Sequence, residues 1–120
     1  MIKKLIAGCA MALLPLMAYG QPTLAVWDVD LIDAVDVDNI KLDIRTDGAF
    51  FMVNGTVNTS TNAGNSAIGS CYLVVIGDVV CELQVREYWY RMTIRENLNG
   101  TLEIFRDGSK LDDGNLIYRP

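Results

Sequence analysis

The stretch 69-GSCYLVVIGDVVCEL-83 contains two apolar runs that are separated by Gly77 and Asp78, and each run carries one cysteine. Two such runs around a glycine-containing break are typical of a β-hairpin. A two-residue turn at Gly77 and Asp78 would point Cys71 and Cys81 to opposite faces of the hairpin. A three-residue loop that ends at a left-handed Gly77 would place the two cysteines directly across from each other.

Cysteine pairing decides between these two registers. Cys71 and Cys81 are the two cysteines that remain once an N-terminal export segment is removed, and an even number in an oxidising compartment favours a disulfide. Directly opposed strand positions lie within the Cα separation that a disulfide accepts. We therefore predict the Cys71–Cys81 bond and the three-residue loop, although this register places Val75 and Ile76 in the turn.

Period-two alternation extends from Leu24 to the end of the chain, and no window sustains the spacing of an amphipathic helix. Two predicted strands each have one apolar face; these faces consist of Ala25, Trp27, Val29 and Leu31, and of Ile40, Leu42 and Ile44. A third face consists of Tyr88, Tyr90, Met92 and Ile94. The chain is therefore predicted to be all-β.

Asp47-Gly48 is a preferred pair for a two-residue type I′ turn, and it follows the predicted strand that contains Ile44. This turn predicts that Ile44 lies opposite Phe51 and that Leu42 lies opposite Val53.

The stretch Leu98 to Gly100 allows two registers for the next hairpin. A two-residue turn at Asn99-Gly100 would pair Glu96 with Glu103, which is unfavourable because the charges are alike. A three-residue loop with Gly100 left-handed pairs Ile94 with Ile104, and it also brings opposite charges, Arg95 and Glu103, across from each other. We predict the second register.

Three more segments complete the predicted domain. The run from Asn58 to Ser70 is polar, lacks periodicity and predicts a long exposed loop. Asp107-Gly108 predicts a turn, and a last short strand, Leu116 to Arg119, is expected after Asp112-Asp113-Gly114. About eight short strands in one antiparallel domain favour a meander-type barrel, lipocalin-like in shape, over a two-layer sandwich.

Residues 1–20, MIKKLIAGCAMALLPLMAYG, have the form of a cleaved bacterial secretory signal peptide, with a basic start, a short apolar core and a small-residue exit. The apolar run is too short to span a membrane, so we expect no membrane insertion after cleavage. A single β domain over residues 21–120 would then reside in the periplasm or be secreted. Lipid attachment at Cys9 is the less favoured alternative, because the apolar run continues beyond that residue.

The chain is acidic, with ten Lys and Arg against fifteen Asp and Glu. Removal of Lys3 and Lys4 with the signal peptide leaves eight basic side chains against fifteen acidic ones, a net charge of −7. Nucleic acid and anionic membranes are poor partners for such a chain, whereas a basic protein is a suitable one.

Histidine is absent, which removes the commonest general base and the commonest metal ligand. The mature cysteines are predicted to be paired, and no phosphate-binding or zinc-binding motif is present. We therefore predict no enzymatic activity, no catalytic residues, no cofactor and no metal. A hydrolase that uses two carboxylates ranks third among the functional hypotheses.

Six aspartates lie within 27-WDVDLIDAVDVDNIKLD-43. Carboxylates suit calcium, but the EF-hand loop pattern fails here. We favour a solvated strand face, with Asp28 and Asp30 near Lys41 and Arg45, over a calcium site. The third interpretation is an acidic surface for a basic partner, with the candidate residues Asp28, Asp30, Asp36 and Asp38.

Three large apolar side chains, Phe50, Met52 and Trp89, are predicted to point away from the core. They indicate either a contact surface or a dimer interface, or else they are covered by the loop Asn58 to Ser70. Our leading hypothesis is an exported, non-enzymatic binding domain, of inhibitor or immunity type, that acts on a protein partner through an acidic and partly apolar surface. An assembly subunit of a surface structure and a small-ligand carrier barrel are the alternatives.

Overall fold

The computed structural model describes residues 5–7, 9–11, 23–32, 35–46, 51–74 and 77–120. Two short strands, β1 (Leu5–Ala7) and β2 (Cys9–Met11), form an antiparallel sheet of their own. A second sheet consists of β3 (Thr23–Leu31), β4 (Asn39–Thr46), β5 (Phe51–Asn58), β6 (Asn65–Leu73), β7 (Val79–Val85), β8 (Tyr88–Ile94), β9 (Gly100–Arg106) and β10 (Ser109–Arg119).

The second sheet closes into an antiparallel barrel of eight strands. From β3 to β10 each strand pairs with the next one along the chain, and β10 pairs back onto β3 to complete the ring. The predicted all-β meander barrel is confirmed. We call the end that carries the β3–β4, β5–β6, β7–β8 and β9–β10 connections the upper end, and the opposite end the lower end.

Alternating side chains from all eight barrel strands fill the interior with one hydrophobic core. The predicted inward faces of β3, β4 and β8 are confirmed, since Trp27, Leu42 and Met92 are fully buried. The Trp27 indole N–H donates to the Leu98 carbonyl at 2.6 Å, and its ring meets Tyr118 edge-on at 5.8 Å between centroids. The centre of the barrel is thus occupied by large side chains of the protein itself.

The β6–β7 hairpin has the register that the disulfide requires. Cys71 lies directly opposite Cys81, the two sulfurs are bonded, and their Cα atoms are 4.0 Å apart. The Val74 N–H donates to the Asp78 carbonyl at 2.9 Å, and Gly77 is left-handed with φ of 89°. The disulfide prediction is confirmed together with the register that places Cys71 across from Cys81. Val75 and Ile76 of the predicted three-residue loop lie outside the described residues.

The predicted β8–β9 register is wrong. Ile94 pairs with Gly100 and Arg91 with Glu103, so each residue of β8 lies opposite a residue four positions from its predicted partner. The left-handed residue is Leu98, with φ of 71°, and Gly100 instead begins β9. A Cβ at Gly100 would lie 1.9 Å from the Thr93 carbonyl oxygen, so this glycine permits close contact between strands and does not form the turn.

The predicted β4–β5 register is also wrong, because Ile44 pairs with Val53 and Thr46 with Phe51. The shift is by two residues, so Ile44 and Val53 still face the core as predicted. The Asp47-Gly48 turn itself lies outside the described residues.

The polar run Asn58 to Ser70 is not one loop. Strand β6 already begins at Asn65, which leaves residues 59–64 as the connection. In the first part of β6 the inward positions are occupied by Ala67 and Gly69. A Cβ at Gly69 would lie 1.8 Å from the Glu82 carbonyl oxygen. Small inward residues let β6 approach β7 closely, and they also remove the apolar alternation by which sequence reasoning recognises a strand.

Residues Asp112 to Gly114 do not separate two strands, since β10 is continuous from Ser109 to Arg119. A bulge between Lys110 and Asp112 changes which side chains face inward. The Asp112 side chain is consequently buried at the upper end.

Candidate functional site

A row of outward side chains crosses four adjacent strands near the upper end of the barrel. Ile68 pairs with Gln84, Gln84 with Trp89, and Trp89 with Phe105, so the four lie side by side on β6, β7, β8 and β9. We call them the outer row. Ile68 is 61% exposed and Trp89 is 38% exposed, so the row presents a wide apolar surface to solvent.

A groove of about 430 Å³ runs along the aromatic part of this row. We call it the outer groove; it is lined by Gln84, Glu87, Trp89, Arg91, Phe105, Asp107 and Gly108. Strands β7, β8 and β9 supply the walls, while the β7–β8 turn supplies Glu87 and the β9–β10 turn supplies Asp107.

Two polar side chains of the outer groove are held in place by their neighbours. The Gln84 amide nitrogen donates to the carbonyls of Arg86 and Tyr88 at 2.7 and 3.0 Å. The Arg91 guanidinium lies 5.5 Å from the Phe105 ring centroid. Its Nε lies 3.3 Å from Glu82 and its Nη1 lies 3.7 Å from Glu103. The positive charge of Arg91 is therefore already countered by two carboxylates.

The carboxylates at the upper edge of the groove are differently placed. Glu87 contacts Arg106 at 3.7 Å, with both side chains about half exposed, so solvent weakens this ion pair. Asp107 has no ion-pair partner within the part of the chain that the structure describes. The groove therefore has an acidic edge beside an exposed indole.

The predicted acidic candidates lie elsewhere on the barrel. Asp28 is on the outer face of β3, and its ion-pair partner is Arg119 at 3.2 Å. In the register Asp28 lies opposite Asn39, and Lys41 is the next outward residue of β4, opposite Val26. Arg45 instead contacts Asp43 of its own strand at 4.0 Å. Among residues 5–7, 9–11, 23–32, 35–46, 51–74 and 77–120, no three acidic or cysteine side chains form a potential metal-binding group.

The remaining acidic candidates surround the upper end of the β3 strand. Asp30 is exposed and lies opposite Asn115 of β10. Asp36 and Asp38 are exposed in the β3–β4 connection, where Asp36 contacts the Ser60 hydroxyl. These residues share one region, but two strands, β9 and β10, lie between β3 and β8, which carries Trp89.

The predicted apolar candidates do not come together either. Met52 is about half exposed on β5 and is flanked by Arg45 and Ser70. Trp89 lies on β8, and Phe50 is outside the described residues. The structure thus replaces a single acidic and apolar surface with separate regions, and it gives Trp89 partners that the sequence analysis missed.

These missed partners are Ile68, Gln84 and Phe105. A two-residue turn at Arg86-Glu87 would have placed Gln84 opposite Trp89, because the alternation resumes at Tyr88. Phe105 can be placed beside Trp89 only with the correct β8–β9 register. Ile68 can be placed beside Gln84 only if β6 is recognised as a strand.

A buried carboxylate at the upper end was also missed. Asp112 is 7% exposed, and its Oδ2 accepts the Val35 N–H at 3.1 Å. Its Oδ1 accepts the Asp113 N–H at 2.8 Å. This side chain fastens the β3–β4 connection to the barrel, and Val37 of that connection packs into the core.

No family model, curated protein or solved structure matches this chain. None of the described residues belongs to a helix long and apolar enough to cross a membrane.

Proposed function

We propose that this chain is an exported bacterial binding protein without enzymatic activity, of inhibitor or immunity type, which engages a protein partner through the outer row. The observation that carries the proposal is the alignment of Trp89 with Phe105 and Ile68 on an exposed face. Trp, Phe and Arg are enriched in protein interfaces, and exposed Trp residues commonly dominate their binding energy.

The Cys71–Cys81 disulfide supports export, because such bonds persist in oxidising compartments. In this proposal residues 1–20 are removed as a signal peptide and the barrel acts in the periplasm or outside the cell.

Two structural features favour this proposal over its alternatives. The closed sheet leaves none of the eight barrel strands with an unpaired edge, so it offers no edge for assembly by strand addition. The interior is filled by side chains such as Trp27 and Tyr90, so it offers little room for a carried ligand.

The test is affinity capture with the full chain, expressed with its own N-terminal segment, from the exported fraction of bacteria that carry the gene. Wild type is compared with Trp89→Thr and with Ile117→Thr. Ile117 is a matched control because it is an outward apolar residue, 51% exposed, on β10.

We expect a partner that wild type and Ile117→Thr retain equally and that Trp89→Thr retains about 30-fold more weakly, as for a central interface tryptophan. Equal capture by all three proteins, or no reproducible partner, would overturn the proposal.

A further inference from the structure

The outer groove already contains one contact between a cation and an aromatic ring. The Arg91 guanidinium lies over the Phe105 ring, at 5.5 Å from its centroid. Trp89 lies directly across from Phe105 on the same face, and tryptophan is the strongest of the aromatic side chains in such contacts. Within the described residues, no cation of the chain lies over the Trp89 ring.

The polar groups at the edge of the groove are mainly acceptors of hydrogen bonds. Asp107 lacks an ion-pair partner in the described part of the chain, and the contact of Glu87 with Arg106 is exposed and long at 3.7 Å. The Gln84 amide nitrogen is engaged with backbone carbonyls, so its side-chain oxygen is left as a further acceptor.

The charge of the surroundings favours a cation over an anion. Arg91 is balanced by Glu82 and Glu103, and the whole chain has a net charge of −5. Glu87 and Asp107 would repel an acidic group of a partner. A basic group would instead form contacts of opposite charge with these two carboxylates in place of their contacts with solvent.

We propose that the outer groove receives a lysine or arginine side chain of the protein partner. Its cation lies between the Trp89 ring and the carboxylates of Glu87 and Asp107, and its aliphatic part lies along the aromatic wall. This inference rests on the proposed function, because it specifies the chemistry of the partner at the same surface.

Hexa-arginine is the probe, and the tryptophan emission of the full chain is the signal. Trp27 is 0% exposed, so a peptide on the surface perturbs Trp89 alone. We expect saturable binding of hexa-arginine and none of hexa-glutamate. The variant Glu87→Gln/Asp107→Asn is expected to bind hexa-arginine about tenfold more weakly, because it loses two charge contacts.

The matched control is Asp78→Asn/Glu96→Gln, which removes the same charge from the turns at the lower end. It is expected to change the affinity less than about twofold, as screening limits distant charges. Equal weakening by the two double variants, or no response of the emission to hexa-arginine, would overturn the inference.

A second measurement does not depend on peptide affinity. Cesium ions are expected to quench Trp89 more effectively than iodide ions in wild type. The ratio of the cesium quenching constant to the iodide quenching constant should fall in Glu87→Gln/Asp107→Asn but not in Asp78→Asn/Glu96→Gln. An unchanged ratio would contradict a negative environment at Trp89.

The two proposals fail in different ways. If Trp89→Thr abolishes partner capture but Glu87→Gln/Asp107→Asn does not, the partner binds without a cation in the groove. If hexa-arginine binds as expected but no partner is captured, the groove chemistry is correct and the proposed function is wrong.

Discussion

Among the residues that the structure describes, three other than glycine adopt left-handed backbone conformations: Arg86, Leu98 and Asp107, with φ of 56°, 71° and 52°. Aspartate tolerates this region, and the sequence predicted the Asp107-Gly108 turn. Leu98 is disfavoured there, but it packs against the core and its carbonyl accepts the Trp27 N–H. Because Trp27 is 71 residues away in the chain, local sequence could not indicate this turn.

Arg86→Gly is expected to stabilise the protein by about 0.5–1 kcal/mol, because glycine avoids the left-handed strain at a modest cost in chain entropy. The exposed Arg86 side chain forms no ion pair within the described residues. Arg95→Gly is the control, since Arg95 is exposed without positive φ, and it should be destabilising by up to about 1 kcal/mol. Urea unfolding measures both changes, and a loss of stability in Arg86→Gly would contradict the strain at that turn.

Burial, assisted by neighbouring Tyr88, raises the pKa of Tyr90 from 10.0 to about 12. The unfolded chain therefore releases this proton at lower pH than the folded chain does. The contribution of Tyr90 to stability is complete below pH 10 and is lost as pH rises through about 12. We expect wild type to lose roughly 2–3 kcal/mol more than Tyr90→Phe between pH 9 and pH 12 in urea unfolding. Parallel losses in the two proteins would contradict this pKa.

At the scale of elements, hairpins were predictable where the deciding interaction was local. The β6–β7 register followed from two cysteines that are 10 residues apart. The β4–β5 register was missed by two residues, yet the faces were correct because a strand repeats every two residues. The β8–β9 register failed because Gly100 was interpreted as a turn residue, whereas its role is close contact with Thr93 on the neighbouring strand.

The β6–β7 disulfide is expected to contribute about 2–3 kcal/mol, as closure of a short loop restricts the unfolded chain. Cys71→Ala/Cys81→Ala should lose that amount in urea unfolding, and reductant should bring wild type to the same stability without affecting the variant. In Cys9→Ala, thiol titration of unfolded, unreduced protein should find no free thiol. Two free thiols would show that the bond is absent.

At the scale of the molecule, sequence indicated the barrel but not its surfaces. Period-two alternation determines which side chains point outward, but only the strand order and register determine which of them are neighbours. The alternation therefore placed Asp28 and Trp89 on one surface, although β9 and β10 lie between β3 and β8. Trp89 and Phe105 are adjacent only because β8 and β9 pair in a register that Leu98 and Gly100 set together.

The filled interior predicts that hydrophobic ligands do not enter the barrel. In Trp89→Phe, the buried Trp27 is the remaining tryptophan and reports on the core. Titration with a long-chain fatty acid should leave its emission unchanged, with the wild-type protein plus added hexa-arginine as the positive control for surface binding. Saturable quenching of Trp27 would indicate a carrier barrel.

The most direct test of partner binding through the outer row follows Trp89 itself. The captured partner is added to Ile117→Thr and to Trp89→Phe, and acrylamide quenching is measured with and without it. We predict that the partner reduces quenching in Ile117→Thr, because it excludes solvent from the 38% of Trp89 that is exposed, and leaves Trp89→Phe unchanged. Undiminished quenching of Trp89 in a fully formed complex would show that the partner binds elsewhere.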